Sequence, residues 1–146
     1  MKKVRGYIFS RPFMDERVPQ HVQNQVIRDY CKRNQLEFLL SSTEYAMPDC
    51  DLMLEQVLNN LDTVSGIVAY SLFQLPKEKA RRRIIYEKFT NEKKSLHFAV
   101  EGLKVKNKED CERIEMLWNV RLTLPYCANV QDINIGVKTL LKNAVQ

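Results

Sequence analysis

Four short apolar segments alternate with longer segments of helical periodicity, and this alternation limits the fold more than any other feature of the chain. The apolar segments are rich in β-branched and aromatic residues, as strands are: Val4–Phe9, Leu36–Leu40, Val64–Tyr70 and Leu96–Val100. Between them, apolar residues recur every three or four positions, which is typical of amphipathic helices. The pattern predicts a three-layer α/β fold in which helices cover both faces of a mostly parallel sheet of four or five strands.

Short right-handed crossovers leave few arrangements for such strands, and we expect the order 2-1-3-4 of a small flavodoxin-like sheet. Val4–Phe9 and Val64–Tyr70 are continuous apolar runs and should be adjacent central strands. Residues 120–124 are compatible with a helix end or with a fifth strand. With 146 residues, we expect a single domain over 1–146, with a C-terminal helical extension from about residue 107.

Charge is distributed unevenly along the chain, whose net charge is +5. Residues 36–76 contain six acidic side chains and no Lys or Arg, whereas residues 77–94 contain eight basic and three acidic side chains. The basic segment predicts a helix that opens at Pro76, with an inner face of Ala80, Ile84, Ile85 and Phe89. Solvated helix faces are the favoured interpretation of the charge, and a basic stripe that binds nucleic acid is the alternative.

Several classes of protein are not indicated. No apolar run approaches the roughly 18 residues of a membrane helix, and the N-terminus does not resemble a signal peptide. The cysteines, Cys31, Cys50, Cys111 and Cys127, lack CxxC spacing and nearby histidines, so we expect reduced thiols and no bound metal. There is no glycine-rich phosphate loop, and we expect no cofactor. These features predict a cytoplasmic protein without a membrane partner.

The candidate site lies where the strands end, because ligands of open parallel sheets bind beyond the carboxyl ends of the strands. The loop after the first strand is unusually long and carries Ser10, Arg11 and Arg17. Two arginines there can clamp an anionic group, unless they pair with neighbouring carboxylates. Further candidate ligand-binding residues lie on the following helix or after the third strand: Gln23, Asn24, Arg28, Tyr70 and Ser71. Glu44 and Glu101 follow the second and fourth strands and are candidates for proton transfer, with Ser10 as hydroxyl donor or nucleophile.

A resemblance over almost the whole chain rests on four strings: GYIFSRPFMDERVPQHVQNQVIRDYC, STEYAMPDC, GIVAYSLFQLP and LHFAVEGL. They resemble the sporadic carbohydrate cluster protein family, small bacterial proteins encoded within surface-polysaccharide or O-antigen gene clusters. The resemblance implies a part in building a surface glycan but assigns no catalytic roles. A second resemblance, over the first hundred residues, is to the serine-recombinase catalytic domain, whose first strand ends in a YxRVS-type motif with its serine at Ser10. This resemblance implies a resolvase-like sheet.

The recombinase pattern is incomplete. The arginine that it places two residues before the serine is Ile8, and its arginine-bearing LDRLGR-type segment reads YSLFQLP over residues 70–76. Recombinases need these arginines to hold the scissile phosphate. We therefore expect neither specific DNA binding nor cleavage.

Three functions remain open, and the sequence does not decide whether the chain is an enzyme. The favoured one is an accessory enzyme of surface-glycan biosynthesis that acts on an anionic sugar, sugar phosphate or nucleotide-sugar. The others are a non-catalytic binding or assembly module and a recombinase-derived nucleic-acid binder without strand exchange. We also expect a homodimer or larger homo-oligomer, because a short last helix from Asp132 exposes Leu140, Leu141 and Val145.

Overall fold

The computed structural model describes residues 1–123. The chain divides into two compact units, Met1–Cys111 and Glu112–Gln146, and the candidate site lies within the first. A single domain with a C-terminal extension stays a prediction. The predicted last helix, with Leu140, Leu141 and Val145, lies outside the described residues, as does Leu124.

A five-stranded sheet forms the centre of the first unit. Its strands are β1 (Lys2–Phe9), β2 (Leu36–Glu44), β3 (Gly66–Ala69), β4 (Ser95–Phe98) and β5 (Leu103–Val105). The spatial order is β2-β1-β3-β4-β5. The first four strands run parallel, and β5 pairs antiparallel with β4. The predicted α/β class and the order 2-1-3-4 are confirmed.

The two central strands are the most apolar segments of the chain, as expected for strands covered on both faces. In the β1–β3 ladder, Val4 lies opposite Gly66 at one end and Tyr7 lies opposite Ala69 at the other. Val4 and Val68 are fully buried, and Ile8 and Ile67 nearly so. Burial of these side chains supplies most of the hydrophobic stabilisation of the sheet, at about 1.5–3 kcal/mol for each large aliphatic side chain.

The helices are α1 (Gln20–Arg33), α2 (Leu52–Asn59), α3 (Lys79–Asn91) and α4 (Lys108–Thr123), with short 3₁₀ turns at Leu61–Thr63 and Leu72–Gln74. On α1, Ile27, Tyr30 and Cys31 lie at helical spacing and join one core cluster with residues of β1 and β3. Among residues 1–123, no helix is long and apolar enough to cross a membrane.

Two local features differ from the sequence expectations, and a third decides whether the residues from 120 onward form a helix end or a fifth strand. α3 buries Arg82, Ile85, Tyr86 and Phe89, whereas Ile84 is exposed. Arg82 takes an interior position because its guanidinium donates to the main-chain oxygens of Pro76 and Lys77. The fifth strand is Leu103–Val105, after a turn in which Gly102 has φ +65°, and residues 120–123 belong to α4.

The sheet also has a polar interior contact. His97 of β4 is buried, and its Nδ1 is 2.8 Å from the Tyr30 hydroxyl of α1. Its Nε2 is 2.8 Å from Ser95 Oγ. Burial and the charges of Lys104, Lys106 and Lys2 lower the pKa of His97 to about 4. The imidazole is therefore a neutral structural side chain at neutral pH.

Candidate functional site

Ser10 follows the last residue of β1 and lies at the carboxyl edge of the sheet. In the β1–β2 ladder Phe9 pairs with Glu44, so Ser10 lies beside the loop that leaves β2. The Ser10 hydroxyl donates to the main-chain oxygen of Glu44 over 2.5 Å and is half-buried. The central position of β1 thus places this serine in the middle of the edge where the sequence predicts a site.

A buried pair of amides fixes the strand ends around Ser10. Gln23 Oε1 accepts from Phe9 N at 2.9 Å, and Gln23 Nε2 donates to Phe9 O at 2.9 Å. Gln74 Nε2 donates to Gln23 Oε1 at 2.9 Å, while Gln74 Oε1 accepts from Tyr70 N at 3.1 Å. Gln23 is fully buried. It therefore positions Ser10 through the main chain and is not exposed to a ligand.

Glu44 is also committed to internal contacts. Its carboxylate accepts from the Tyr7 hydroxyl at 2.8 Å and from the main-chain amides of Tyr45, Met53 and Leu54 at 3.0–3.1 Å. Two of these amides belong to the first turn of α2, where a carboxylate is stabilised by the helix end. Burial, together with the contact with Glu44, raises the pKa of the Tyr7 hydroxyl. Because both oxygens are occupied and the side chain is buried, Glu44 holds the β2–α2 connection in place.

Glu101 and Ser71 form a second contact at the edge, after β4 and β3. Ser71 Oγ donates to Glu101 Oε1 at 2.6 Å, and Leu72 N donates to the same carboxylate at 3.3 Å. Burial raises the pKa of Glu101, although these hydrogen bonds oppose the shift. Ser71 also accepts from Phe73 N and caps the 3₁₀ turn.

The structure does not bring the two predicted acid/base residues together. Glu44 follows β2 and Glu101 follows β4, and two strands lie between β2 and β4. Three inter-strand spacings of about 4.8 Å separate them by roughly 14 Å. Two carboxylates that flank one scissile glycosidic bond lie about 5–9.5 Å apart, so these two do not form such a pair.

The long loop after β1 folds back over the edge. Phe13 and Glu16 exchange two main-chain hydrogen bonds of 3.0 Å, and the turn residues Met14 and Asp15 have φ of 50° and 61°. Positive φ at both central residues is the signature of a type I′ turn. The Phe13 ring packs edge-on against Phe9 and Tyr70, with centroids 5.5 and 6.1 Å apart. The loop is therefore ordered by aromatic packing.

Tyr70 lies between this loop and Glu101. Burial and the carboxylates of Glu16 and Glu101 raise the pKa of its hydroxyl. Tyr70 is thus within electrostatic reach of two of the loops that the sequence predicts to meet here, and it remains half-buried.

The two loop arginines are placed differently. Arg11 donates to the main-chain oxygen of Tyr45 at 2.8 Å and stacks over the Phe9 ring at 4.1 Å. Arg17 is exposed and has no ion-pair partner among residues 1–123. Neither arginine pairs with Asp15, Glu16 or Glu44, the alternative that the sequence left open.

Two predicted ligand-binding residues of α1 lie away from the edge. Asn24 Oδ1 accepts from Ser41 Oγ at 2.7 Å, and the Arg28 guanidinium lies 5.4 Å from the Phe38 ring centroid. Phe38 pairs with Val4, five residues before the end of β1. At about 3.3 Å for each residue, Arg28 faces the sheet roughly 16 Å below the strand ends.

A cleft of about 450 Å³ opens beside Phe9 at this edge. Its charged lining comprises Arg11, Asp15, Asp49, Asp51, Lys77, Glu78 and Arg81. Arg81 forms ion pairs with Asp51 and, at 3.6 Å, with Glu55. Lys77 Nζ lies 3.9 Å from Asp49 Oδ1. Acidic side chains therefore neutralise Arg81 and Lys77 in this cleft, whereas Arg11 lines it without an ion pair among the described residues. Arg17 is not among the lining residues.

Sequence reasoning missed Gln74 and Arg81. Gln74 gives no local signal, because its partner Gln23 is 51 residues away. Arg81 stands in a run of basic residues, and only the fold shows that the acidic segment neutralises it. In the described part of the chain, no group of His, Cys, Asp and Glu side chains is arranged to hold a metal ion.

Several solved structures have a similar fold, and two of them are compared with this chain. One is the N-terminal catalytic domain of TP901-1 integrase, with a TM-score of 0.59 and 11% sequence identity over 86% of this chain and 99% of that one. The chain has the fold of a resolvase-type catalytic domain. The other similar structure is a resolvase family site-specific recombinase from Streptococcus pneumoniae, with a TM-score of 0.60 and 12% identity over 98% of this chain and 99% of that one. No family model and no curated protein matches the sequence.

These neighbours correct the functional expectations. Both are site-specific recombination proteins, so the predicted role in surface-carbohydrate or O-antigen biosynthesis is wrong. The predicted sugar-derived anionic ligand is wrong for the same reason, as is the expectation that specific nucleic-acid binding is absent. The resemblance to the carbohydrate cluster family finds no support, whereas the fold-level resemblance to serine recombinases is confirmed.

Proposed function

We propose that this chain is a nucleic-acid-binding protein built on the serine-recombinase catalytic fold, and that it does not exchange DNA strands. The observation that carries the proposal is Ser10 at the end of β1, in a sheet whose likeness to a recombinase spans 98% of the chain. The two similar structures are recombination proteins, and the serine-recombinase resemblance implies that Ser10 corresponds to the recombinase serine.

The carboxyl edge offers a phosphodiester backbone two cations and one hydroxyl. Arg17 is exposed without an acidic partner among the described residues, and Arg11 lies one residue after Ser10. Arginine suits phosphate because its planar group donates two parallel hydrogen bonds. Glu44, Gln23 and Ser71 are buried among internal partners, so the proposal gives them positioning roles only. Ser10 and Arg11 also have internal partners but remain partly exposed.

The absence of strand exchange follows from what surrounds Ser10. Ile8, at the position of the recombinase arginine, is almost completely buried in the core. Residues 70–76 contain no basic side chain, and Arg81, which lines the neighbouring cleft, is paired with Asp51 and Glu55. Serine attack on a phosphodiester builds negative charge on phosphorus-bound oxygens, which needs fixed cations close by. Arg11 and Arg17 suffice to hold a nucleic-acid backbone. They do not replace the recombinase arginines that hold the scissile phosphate.

The test is fluorescence anisotropy with labelled duplex DNA of about 30 base pairs at several salt concentrations. We expect binding whose affinity falls steeply with salt. Arg11→Ala/Arg17→Ala should weaken binding at least tenfold and reduce the log–log salt slope by about 1–2, since each phosphate contact contributes about 0.9. Arg28→Ala removes one exposed arginine far from the edge and serves as the control, with binding within twofold of the parent.

Two results would contradict the proposal. One is no duplex binding at 50 mM salt by a protein with a native circular dichroism spectrum. The other is a covalent protein–DNA adduct, retained on a denaturing gel and lost in Ser10→Ala, because it would show that Ser10 cleaves DNA.

We also propose that the chain self-associates, as expected from its sequence. Light scattering at tens of micromolar should give the mass of a dimer or a larger assembly. A monomer mass at that concentration would exclude the assembly.

A further inference from the structure

The opposite edge of the sheet, where the parallel strands begin, carries a cluster of lysines that the proposed function does not use. A surface cavity of about 390 Å³ there is lined by Lys2, Ser65, Thr90, Lys93, Lys94, Ser95 and Lys106. We call these seven residues the amino-edge cluster. It contains four ammonium groups, three hydroxyls and no carboxylate.

The fold assembles this cluster from four separate segments. Lys2 begins β1, and Ser65 N donates to the main-chain oxygen of Lys3 at 2.7 Å. Ser95 N donates to Ser65 O at 3.2 Å, which places the starts of β3 and β4 side by side. Lys106 follows β5, whose last residue Val105 pairs with Leu96 because β5 runs antiparallel. Lys93 and Lys94 come from the turn after α3.

The positive charge of this cluster is not neutralised from within. In the described part of the chain, none of its four lysines forms an ion pair. The Asp110 carboxylate accepts from the Lys106 main-chain amide at 3.1 Å, and its charge favours the ammonium form of Lys106. Glu92, adjacent to Lys93, lies 3.3 Å from Lys88. The charges of Lys104 and Lys2 outweigh that of Asp110 and lower the pKa of Lys106.

We propose that the amino-edge cluster is a phosphate-binding site, separate from the Ser10 edge. Several ammonium groups around hydroxyl donors match a group with several anionic oxygens. Such a group also relieves the repulsion among the lysines, which gives the site a reason to bind it. The same chemistry is presented by a small phosphorylated molecule and by the backbone of a nucleic acid. The inference does not depend on the function proposed for the Ser10 edge.

The binding test uses inorganic pyrophosphate as the probe, titrated into the full chain by isothermal calorimetry at low salt. Lys93→Gln/Lys94→Gln should weaken binding about tenfold or more. Lys32→Gln/Lys79→Gln removes the same net charge from exposed positions outside the cluster and should stay within twofold. Amide shifts of Ser65, Thr90 and Ser95 in ¹⁵N-edited spectra should move on titration in the parent chain.

The duplex binding assay then separates the two sources of phosphate. If Lys93→Gln/Lys94→Gln weakens both pyrophosphate and duplex binding, the site takes a nucleic-acid backbone. If pyrophosphate binding falls and duplex binding does not, it takes a small phosphorylated molecule. Both results support the site. Each includes a loss of pyrophosphate binding, whereas Arg11→Ala/Arg17→Ala is expected to weaken duplex binding.

Two outcomes would overturn the inference. One is the absence of pyrophosphate binding by the parent chain. The other is equal weakening in both lysine double variants, because that result means general charge attraction and no site.

Discussion

Acid should destabilise this protein through His97, and the size of the effect follows from the structure. Burial, together with Lys104, Lys106 and Lys2, lowers the pKa of His97 to about 4, from an ordinary 6.5. As the pH falls from 6.5 towards 4, the unfolded chain takes up a proton at this site and the folded chain does not. The free energy of unfolding must therefore fall across this window, while above pH 6.5 the contribution of His97 is constant.

The magnitude comes from the gap between the two pKa values. Each pH unit of that gap corresponds to about 1.4 kcal/mol. The slope should approach that value per pH unit in the middle of the window, and the accumulated loss should reach about 3 kcal/mol near pH 4. This is a large part of the 5–15 kcal/mol that stabilises a typical domain. Glu101 acts in the opposite direction, because its raised pKa makes the folded state bind its proton first.

Urea unfolding at closely spaced pH values from 4 to 8 measures this, with the parent chain compared with His97→Gln. In the variant, the altered contacts with Tyr30 and Ser95 lower the free energy of unfolding by an amount that does not depend on pH. Only the difference in slope between the chains reports the titration, and Glu101 cancels from it. His21→Gln, which removes the exposed second histidine, is the matched control. Parallel curves for the parent and His97→Gln below pH 6.5 would refute the reasoning.

Three other substitutions test the packing, each measured by urea unfolding at pH 7. Glu44→Ala leaves the Tyr7 hydroxyl and three amides unpaired and should cost about 3–5 kcal/mol; a loss under 1 kcal/mol would argue against its positioning role. A Cβ on Gly66 would lie 2.4 Å from the main-chain oxygen of Ser95, so Gly66→Ala should cost at least about 2 kcal/mol, and a neutral result would contradict the close approach of β3 and β4. Met14→Asn should stabilise by about 0.5–1 kcal/mol, because Asn tolerates positive φ; destabilisation would count against the type I′ turn.

Most of the fold is predictable from the sequence because the central strands carry a strong signal. β3 is apolar throughout and β1 is apolar over most of Val4–Phe9, and their pairing and central position were predicted from that feature. β2 extends to Glu44, beyond the predicted end at Leu40, because polar residues continue an edge strand whose outer side faces solvent. β5 has three residues after a glycine turn, which is too short for a period-two pattern.

The location of the site stays a prediction, and the contacts of its residues could not be predicted from the sequence. The rule that ligands bind at carboxyl edges selects Ser10, Arg11 and Arg17 as candidates, and in the structure Ser10 and Arg11 contact the end of β2. Gln23 and Glu44 have the chemistry of ligand-binding residues, but their partners lie elsewhere in the chain. Hydrogen bonds to Phe9 and to the α2 amides turn them into supports, and these contacts exist only once the chain is folded.

The basic segment 77–94 shows why a run of like charge in a sequence does not predict a surface. Arg82 is buried against carbonyl oxygens, and Arg81 is paired with the acidic segment. Lys93 and Lys94 join Lys2 and Lys106 at the amino edge of the sheet. β1 has eight residues, so its two ends, and with them Lys2 and Ser10, are roughly 26 Å apart. At that separation the effects of substitutions at the two edges should add, so a quadruple Arg11, Arg17, Lys93 and Lys94 variant distinguishes two independent phosphate contacts from one continuous interface.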